Sequence, residues 1–275
     1  VKKWYAVIGD PIAHSLSPYM HDAWFQESSI DASYIPVHLE PSELEDGFHA
    51  LKKIGVSGFN VTLPHKQAII PFLDGLDDTA RTMNAVNTVV MKDGKSYGYN
   101  TDGDGFVQSL FALPVDREQP LLVIGAGGAA RGIVHALHRA GFTRLTVTNR
   151  TFRRAEELAG EVGAEVMTIS QAEAELGTFH TIVQTTSVGL SDNESLPLSV
   201  EWLKPGTVVA DIVYNPLVTP LLKVASDKGC KTINGVGMFV HQGAIAFEKW
   251  TGKTPNQEAM IDSITQKLGG NNVNR

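Results

Sequence analysis

The chain has 275 residues, of which 43% are hydrophobic and 19% charged, and it carries a formal net charge of −7. That balance fits a globular protein with a sizeable core and enough length for two domains. It excludes nucleic-acid binding through basic blocks, because no lysine- or arginine-rich run offsets the acidic excess. The single cysteine, Cys230, excludes an intrachain disulfide and is expected to be a buried structural thiol.

The start, VKKWYAVIGD, lacks the apolar core of a signal peptide, and no apolar run is long enough to span a membrane. The expectation is a cytoplasmic enzyme or binding protein with no membrane or nucleic-acid partner. Trp4 to Gly9 reads as a strand. Ser17-Pro18 reads as an N-cap followed by proline at the first helical position, with Met20, Ala23 and Trp24 at helical spacing after it. Ser33 to Leu39 reads as a strand, Pro41 to Ile54 as a helix with Leu44, Phe48, Leu51 and Ile54 on one face, and Gly58 to Leu63 as a strand. Alternation of this kind predicts an open, largely parallel sheet with helices on its faces. Gln67 to Val86 is expected to form two short helices parted at Asp74-Gly75, with Asp77 or Asp78 capping the second. Asn87 to Asn100 reads as a hairpin turning at Asp93-Gly94, and a helix follows Asp102.

From Leu121 the alternation begins again. LLVIGAGGAAR at 121–131 is an apolar strand, a glycine turn and a helix start, and its Gly125-x-Gly127-x-x-Ala130 spacing fits the dinucleotide fingerprint. Gly125 permits the tight exit from the strand, Gly127 lets backbone approach a pyrophosphate, and Ala130 lets the helix pack closely on the sheet. A helix over 129–140, strands at 145–148, 165–169, 181–185, 207–212 and 231–233, and helices at 152–162 and 220–228 complete a doubly wound unit. Two tail helices then carry Val240, Ala244, Phe247 and Trp250, and Met260, Ile261, Ile264 and Leu268, with no strand of their own to cover. They are expected to pack back on the first domain. The expected division is therefore 1–102 plus 238–275 for a discontinuous substrate-binding domain and 103–237 for a Rossmann-type domain. The polar end GGNNVNR is expected to fray.

In such units an acidic residue ending the second strand holds the ribose of NAD. Here that strand ends in Asn149-Arg150-Thr151, with Arg153 and Arg154 in the next turn. Arginine offers a planar fork suited to a phosphate dianion, and positive charge is otherwise unfavourable at a helix N-terminus. This favours NADP, with its 2′-phosphate on Arg150 and Arg154. No G-x-S-x-G elbow, cysteine pair or H-E-x-x-H motif occurs, and His135 and His138 read as a solvated helix face rather than a metal site, so no metal is expected. Two polar stretches lie at the carboxyl ends of first-domain elements: NVTLPHK, with Asn60, Thr62, His65 and Lys66, and Asn100-Thr101-Asp102.

Taken together, the motifs resemble the NADP-dependent shikimate dehydrogenase family. The segments that carry the resemblance are Ser15-Leu16-Ser17-Pro18, NVTLPHK at 60–66, NAVNT at 84–88 and Asn100-Thr101-Asp102-Gly103. GAGGAAR at 125–131, Asn149-Arg150-Thr151 with Arg154-Ala155, DIVYNPLVTPLL at 211–222 and NGVGMFVHQ at 234–242 continue it in family order. The resemblance implies that Ser15 and Ser17 bind the substrate carboxylate, and that Thr62, Asn87, Asp102, Tyr214 and Gln242 contact ring hydroxyls or carboxylate. Lys66 is the implied acid/base, with Asp102 orienting it. A lysine ammonium can donate to a carbonyl oxygen during reduction. Gly125, Ala126, Gly127, Gly128 and Ala129 are implied to take the pyrophosphate, and Asn149, Arg150, Thr151 and Arg154 the adenosine phosphate. Asp78, Ile212 and Gly235 match positions near the nicotinamide. Gln184 and Leu190 stand where the family usually has Asn and Met, and Phe239 where Leu is common. The implied activity is reversible NADPH-dependent reduction of 3-dehydroshikimate to shikimate, a step of aromatic amino acid biosynthesis. The alternatives are a quinate/shikimate dehydrogenase using NAD and a non-catalytic dinucleotide-sensing protein of the same fold; a homodimer is left open.

Overall fold

The computed structural model describes residues 2–190 and 195–270. The chain divides into two compact units, one running to Thr101 and resuming over Gln242–Met260, the other covering Asp102–His241 and continuing from Ile261. Among the described residues each unit holds one six-stranded sheet. No described helix is long and apolar enough to cross a membrane.

In the first unit β1 (Lys3–Gly9), α1 (Ser17–Glu27), β2 (Ala32–His38), α2 (Leu44–Lys53) and β3 (Gly58–Val61) alternate in the expected order. They are followed by β4 (Gly75–Leu76), α3 (Asp78–Met83), β5 (Thr88–Lys92) and β6 (Lys95–Tyr99). The sheet order is β2-β1-β3-β5-β6-β4. Its β1–β2, β1–β3 and β4–β6 pairs are parallel, and its β3–β5 and β5–β6 pairs antiparallel. The antiparallel pairings come from the hairpin, whose two loop residues Asp93 and Gly94 take φ of 51° and 75°, as a two-residue turn matching strand twist requires. β1 is buried on both faces. Ala6 and Ile8 meet Leu44, Phe48 and Leu51 of α2, while Tyr5 packs on Phe25 at 5.1 Å and Trp250 at 5.0 Å.

Three local expectations are corrected. Ser17 is the first residue of α1 and not its cap; Leu16 precedes it in helical conformation with no side-chain cap. Residues 41–43 form a 3-10 turn with a Glu40–Glu43 capping box ahead of α2. The stretch 67–86 holds a 3-10 turn at Ile70–Phe72 and the helix α3 on either side of the expected break, but the first piece is not an α-helix and the break itself is a strand, Gly75-Leu76 pairing with Tyr97-Gly98 as β4. The Asp74 carboxylate fixes that edge by accepting from the Ser96 N–H at 2.8 Å and its hydroxyl at 2.9 Å. A polar contact of this kind between residues 22 apart leaves no periodic trace in the sequence.

The second unit opens with α4 (Asp102–Leu110), then β7 (Leu121–Ile124), α5 (Gly128–Arg139), β8 (Leu145–Thr148), α6 (Phe152–Val162) and β9 (Glu165–Met167). α7 (Ile169–Ala174), β10 (Thr181–Gln184), β11 (Val208–Asp211), α8 (Pro220–Asp227) and β12 (Lys231–Ile233) follow. All five pairings of its sheet, ordered β12-β11-β10-β7-β8-β9, are parallel. One face buries Leu121, Val123 and Val147 under Ile133, Leu137 and Leu158; the other buries Leu122, Ile124 and Ile182 under Leu176 and Leu221. The strand expected over 165–169 stops at Met167, and Ile169 opens α7. Thr168 ends the strand by forming a capping box with Gln171. Cys230 is half-buried, its thiol against the Lys204 carbonyl at 3.3 Å.

The last two helices, α9 (Val236–Thr251) and α10 (Gln257–Gly270), are each divided between the units. The expected boundary at 238 thus lies at Gln242, inside α9. In the second unit Gly237 abuts the Ser109 side chain; in the first, Phe247 and Trp250 enter the aromatic core. Residues 271–275 of the polar end lie outside the described residues.

That core encloses His21, which is 0% exposed and stacks on Tyr34 at 4.5 Å, with Trp24, Phe25, Phe247 and Trp250 around it. Neither ring nitrogen has a hydrogen-bond partner among the described residues, and burial lowers its pKa to about 3. The unfolded chain takes up this proton near pH 6.5, so the neutral ring's contribution to stability is present at neutral pH and is lost as pH falls toward 3. His21→Phe is therefore expected to show a smaller drop in Tm between pH 7 and pH 5 than the parent. Parallel Tm–pH curves in a thermal melt series would sink this account.

Candidate active site

In the first unit the site residues gather where parallel strands run out. Gly9 ends β1 so close to β3 that a Cβ there would lie 2.4 Å from Thr62 Cγ2, so only glycine lets Thr62 sit beside it. The Ser17 N–H donates to Ser15 Oγ at 3.2 Å, which brings the two serines together in the turn entering α1. Lys66 is half-buried in the turn after β3, where its carbonyl accepts the Val86 N–H at 2.7 Å and the neighbouring His65 ring contacts the Leu39 carbonyl at 2.7 Å. Asn87 is 2% exposed. Its Oδ1 accepts from the Thr101 N–H at 3.0 Å and the Thr88 hydroxyl at 2.9 Å, and its Nδ2 donates to Thr101 Oγ1 at 2.9 Å. The Thr101 hydroxyl lies 3.0 Å from the Gln242 carbonyl, tying Gln242 to the same cluster. Asp78 stands apart from it: Asp77 caps α3 through the Ala80 N–H, while the fully exposed Asp78 carboxylate lies 4.0 Å from Arg81.

In the second unit the sheet order reverses between β7 and β10, and their carboxyl ends frame the crevice where α/β sheets hold ligands. Gly125 leaves β7 at φ 118°, and a Cβ on it would lie 2.4 Å from Thr185 Oγ1. The Thr185 hydroxyl in turn donates to the Ile124 carbonyl at 2.7 Å. A Cβ on Gly127 or Gly128 would meet nothing within 4 Å, so open space fronts the first turn of α5, whose initial N–H groups have no helical acceptor. Ala126 and Ala129 flank these glycines, and Ala130 is 0% exposed against the sheet. That cradle fits a pyrophosphate.

After β8, Asn149 Nδ2 donates to the Thr151 carbonyl at 2.9 Å and shapes the turn into α6. No acidic residue lies in the first turn of that helix. Arg153 pairs with Glu157 at 3.0 Å, whereas the exposed side chains of Arg150 and Arg154 have no partner among the described residues. Two guanidiniums so placed at a helix start have the charge and the planar donor fork to hold a phosphate. His135 takes no part in it; its Nε2 lies 2.7 Å from Glu161 Oε2.

A cavity of about 500 Å³ opens at the ends of β10 and β11, lined by residues 185–187, Leu190 and residues 212–215. Two buried side chains hold its walls. Gln184, 0% exposed, donates to Thr186 Oγ1 at 2.9 Å and the Val188 carbonyl at 3.1 Å, and its Oε1 accepts the Thr186 N–H at 3.0 Å. Asp211, 1% exposed, accepts the Val213 N–H at 3.0 Å and the Thr219 hydroxyl at 2.8 Å. Gly235 abuts the same wall, since a Cβ there would lie 2.1 Å from the Ile212 carbonyl. Tyr214 stacks on Phe239 at 5.2 Å, so the Phe found where the family favours Leu gives the tyrosine an aromatic support. Tyr34, Thr88 and Asp211 have no role among the residues expected from the sequence; Thr88 and Asp211 lie within the motifs that carry the resemblance, while Tyr34 carries no local signal.

Burial raises the Asp211 pKa to about 6. The folded state thus holds this proton more tightly than the unfolded chain, whose carboxyl titrates near pH 3.8, and stability from this group falls as pH rises from about 4 to about 6. The trend opposes that of His21. Asp211→Asn is expected to steepen the loss of Tm between pH 7 and pH 5, and a shallower loss in the same melt series would contradict it.

Comparison with known proteins adds three matches to family models. Residues 7–89 match the shikimate dehydrogenase substrate binding domain, 111–191 shikimate/quinate 5-dehydrogenase, and 235–265 the shikimate 5'-dehydrogenase C-terminal domain. A shikimate dehydrogenase (NADP(+)) of Lysinibacillus sphaericus is 52% identical over 98% of this chain and 100% of its own. The structure of a Thermus thermophilus shikimate 5-dehydrogenase with NADP(H) and shikimate superposes with a TM-score of 0.89 at 35% identity, over 97% of this chain and 99% of that one. A quinate dehydrogenase of Corynebacterium glutamicum in complex with NAD gives 0.88 at 29% identity, over 95% and 98%.

Proposed function

The chain belongs to the shikimate dehydrogenase family, and on that premise we propose that it reversibly reduces 3-dehydroshikimate to shikimate with NADPH, using Lys66 and Asp102 as its acid–base pair. The observation that carries the activity is the end-to-end match to an NADP-dependent relative at 52% identity.

Bound NADPH supplies the hydride. The protein's part is to hold the ring and move the proton. Ser15 and Ser17 offer adjacent hydroxyls to the substrate carboxylate, and Thr62, Asn87, Tyr214 and Gln242 take its remaining oxygens. Lys66 donates to the oxygen that becomes the new hydroxyl, which stabilises charge developing there during reduction, and takes the proton back in the reverse direction. Asp102 orients the ammonium. On the cofactor side, residues 125–129 cradle the pyrophosphate, Asn149, Thr151, Arg150 and Arg154 hold the adenosine phosphate, and Asp78, Ile212 and Gly235 border the nicotinamide. Arg150 and Arg154, unpaired among the described residues, favour NADP over the NAD of the quinate-dehydrogenase reading. The same reading places the enzyme in the cytoplasm, and sedimentation tests whether it forms a homodimer.

Spectrophotometric assay of NADP reduction with shikimate tests the activity; faster quinate oxidation with NAD would overturn it. Lys66→Ala is expected to lower kcat by about a hundredfold or more with little change in shikimate binding, the usual worth of a positioned acid–base group. Near-parental turnover would remove Lys66 from this role. Arg150→Asp is expected to raise the KM for NADPH far more than that for NADH, and equal rises would argue against the phosphate contact.

A further inference from the structure

The first unit contains a buried polar chain that none of the assigned roles uses. The Tyr34 phenol, 3% exposed on β2, donates to Asn60 Oδ1 at 2.6 Å. Asn60, 7% exposed on β3, donates through Nδ2 to the Asn87 carbonyl at 3.0 Å and to Thr88 Oγ1 at 3.1 Å. Thr88, 0% exposed at the start of β5, passes its hydroxyl proton to Asn87 Oδ1 at 2.9 Å. The donors run in one direction along the chain, and each link fixes the next. A phenol donating to Asn60 Oδ1 leaves the Asn60 nitrogen facing Thr88. Thr88 Oγ1 then accepts from Asn60 and has its single proton left for Asn87. The Asn87 oxygen is held by that proton together with the Thr101 N–H, so its carboxamide cannot turn over without stranding two buried donors.

We propose that Tyr34, Asn60 and Thr88 are positioning residues for the reaction, a hydrogen-bonded relay across β2, β3 and β5 that fixes the orientation of the Asn87 carboxamide. The proposal rests on the assignment of Asn87 as a substrate contact. The Asn87 oxygen sits on the Thr88 hydroxyl and the Thr101 N–H, and its nitrogen donates to Thr101 Oγ1 at 2.9 Å, so both ends of the carboxamide are set by the protein before substrate arrives.

Thr88→Val removes the relay's hydroxyl at nearly constant volume, and Thr88→Ser restores it. In steady-state assays Thr88→Val is expected to lower kcat/KM for shikimate about tenfold, the worth of one misplaced hydrogen bond, while the KM for NADP stays within about twofold. Thr88→Ser is expected to recover most of the loss. Combined with Asn87→Ala, Thr88→Val should cost nothing further, because it acts only through Asn87. Tyr34→Phe, which leaves the ring packed on His21, should show the same pattern in weaker form. Equal losses in Thr88→Ser and Thr88→Val, a parallel loss for NADP, or multiplicative losses in the double variant would each overturn the relay. If Asn87→Ala alone turns over shikimate normally, the assignment of Asn87 fails and the relay falls with it.

Discussion

Burying a polar side chain where strands end is costly unless its donors and acceptors are met within the protein, and the side chains that shape the site in both units meet that condition. In the first unit, Asn60, Asn87, Thr88 and Thr101 are all at most 7% exposed, and each satisfies another. In the second, Gln184 and Asp211 end β10 and β11 with their oxygens on the N–H groups of the loops that follow. The effect is the same in both. Backbone that would otherwise be free at the carboxyl edge of a sheet is pinned to a side chain rooted in the strand, so loops carrying chemistry inherit the rigidity of the core.

The glycines impose the complementary constraint of space. Gly9 beside Thr62 and Gly125 beside Thr185 are both points where strand ends approach too closely for a Cβ. Gly127 and Gly128 differ in kind, since a Cβ there would enter open space. The fingerprint thus mixes two requirements. Gly125 is demanded by the fold itself, while the next two glycines are demanded only by something that must approach the helix start closely, which is what a pyrophosphate does. The same distinction separates the arginines after β8. Arg153 is matched by Glu157 within its own helix, whereas Arg150 and Arg154 have no partner among the described residues.

Strands and helices with strong local signals were legible in the sequence. α6, over Phe152–Val162, and β12, over Lys231–Ile233, fall where periodicity put them, and the Asp93-Gly94 turn has the left-handed pair its residues require. What escaped was specified by contacts between distant residues. β4 exists because Gly75 and Leu76 lie against Tyr97 and Gly98, and no residue in Asp74-Gly75-Leu76 signals a strand by itself. α7 was missed for a different reason: Thr168 and Gln171 do form a readable capping box, but the apolar run through Val166 and Met167 was extended past it. For the site, motif residues were legible as a set, yet the chemistry behind them was not. Tyr34 lies 26 residues from Asn60, and their 2.6 Å contact is visible only once β2, β1 and β3 are laid side by side.

The buried titratable groups follow from this same architecture. His21 is packed among aromatic rings that leave its nitrogens no partner among the described residues, so burial alone acts on it and drives it neutral. Asp211 meets the same burial with two hydrogen bonds, which pull its pKa back down without cancelling the rise. One group resists taking up a proton and the other resists losing one, and between about pH 4 and 6 they act on stability with opposite sign. Their positions differ in consequence. His21 lies on α1, one turn after Ser17, and its protonation would loosen the first unit's aromatic core. Asp211 stands at the root of the wall that carries Tyr214, and its charge state sets which partner donates in the bond with Thr219. An unpaired buried imidazole is therefore the weak point of the first unit in acid, while in the second unit it is the ionised carboxylate, above its raised pKa, that must be held by hydrogen bonds alone.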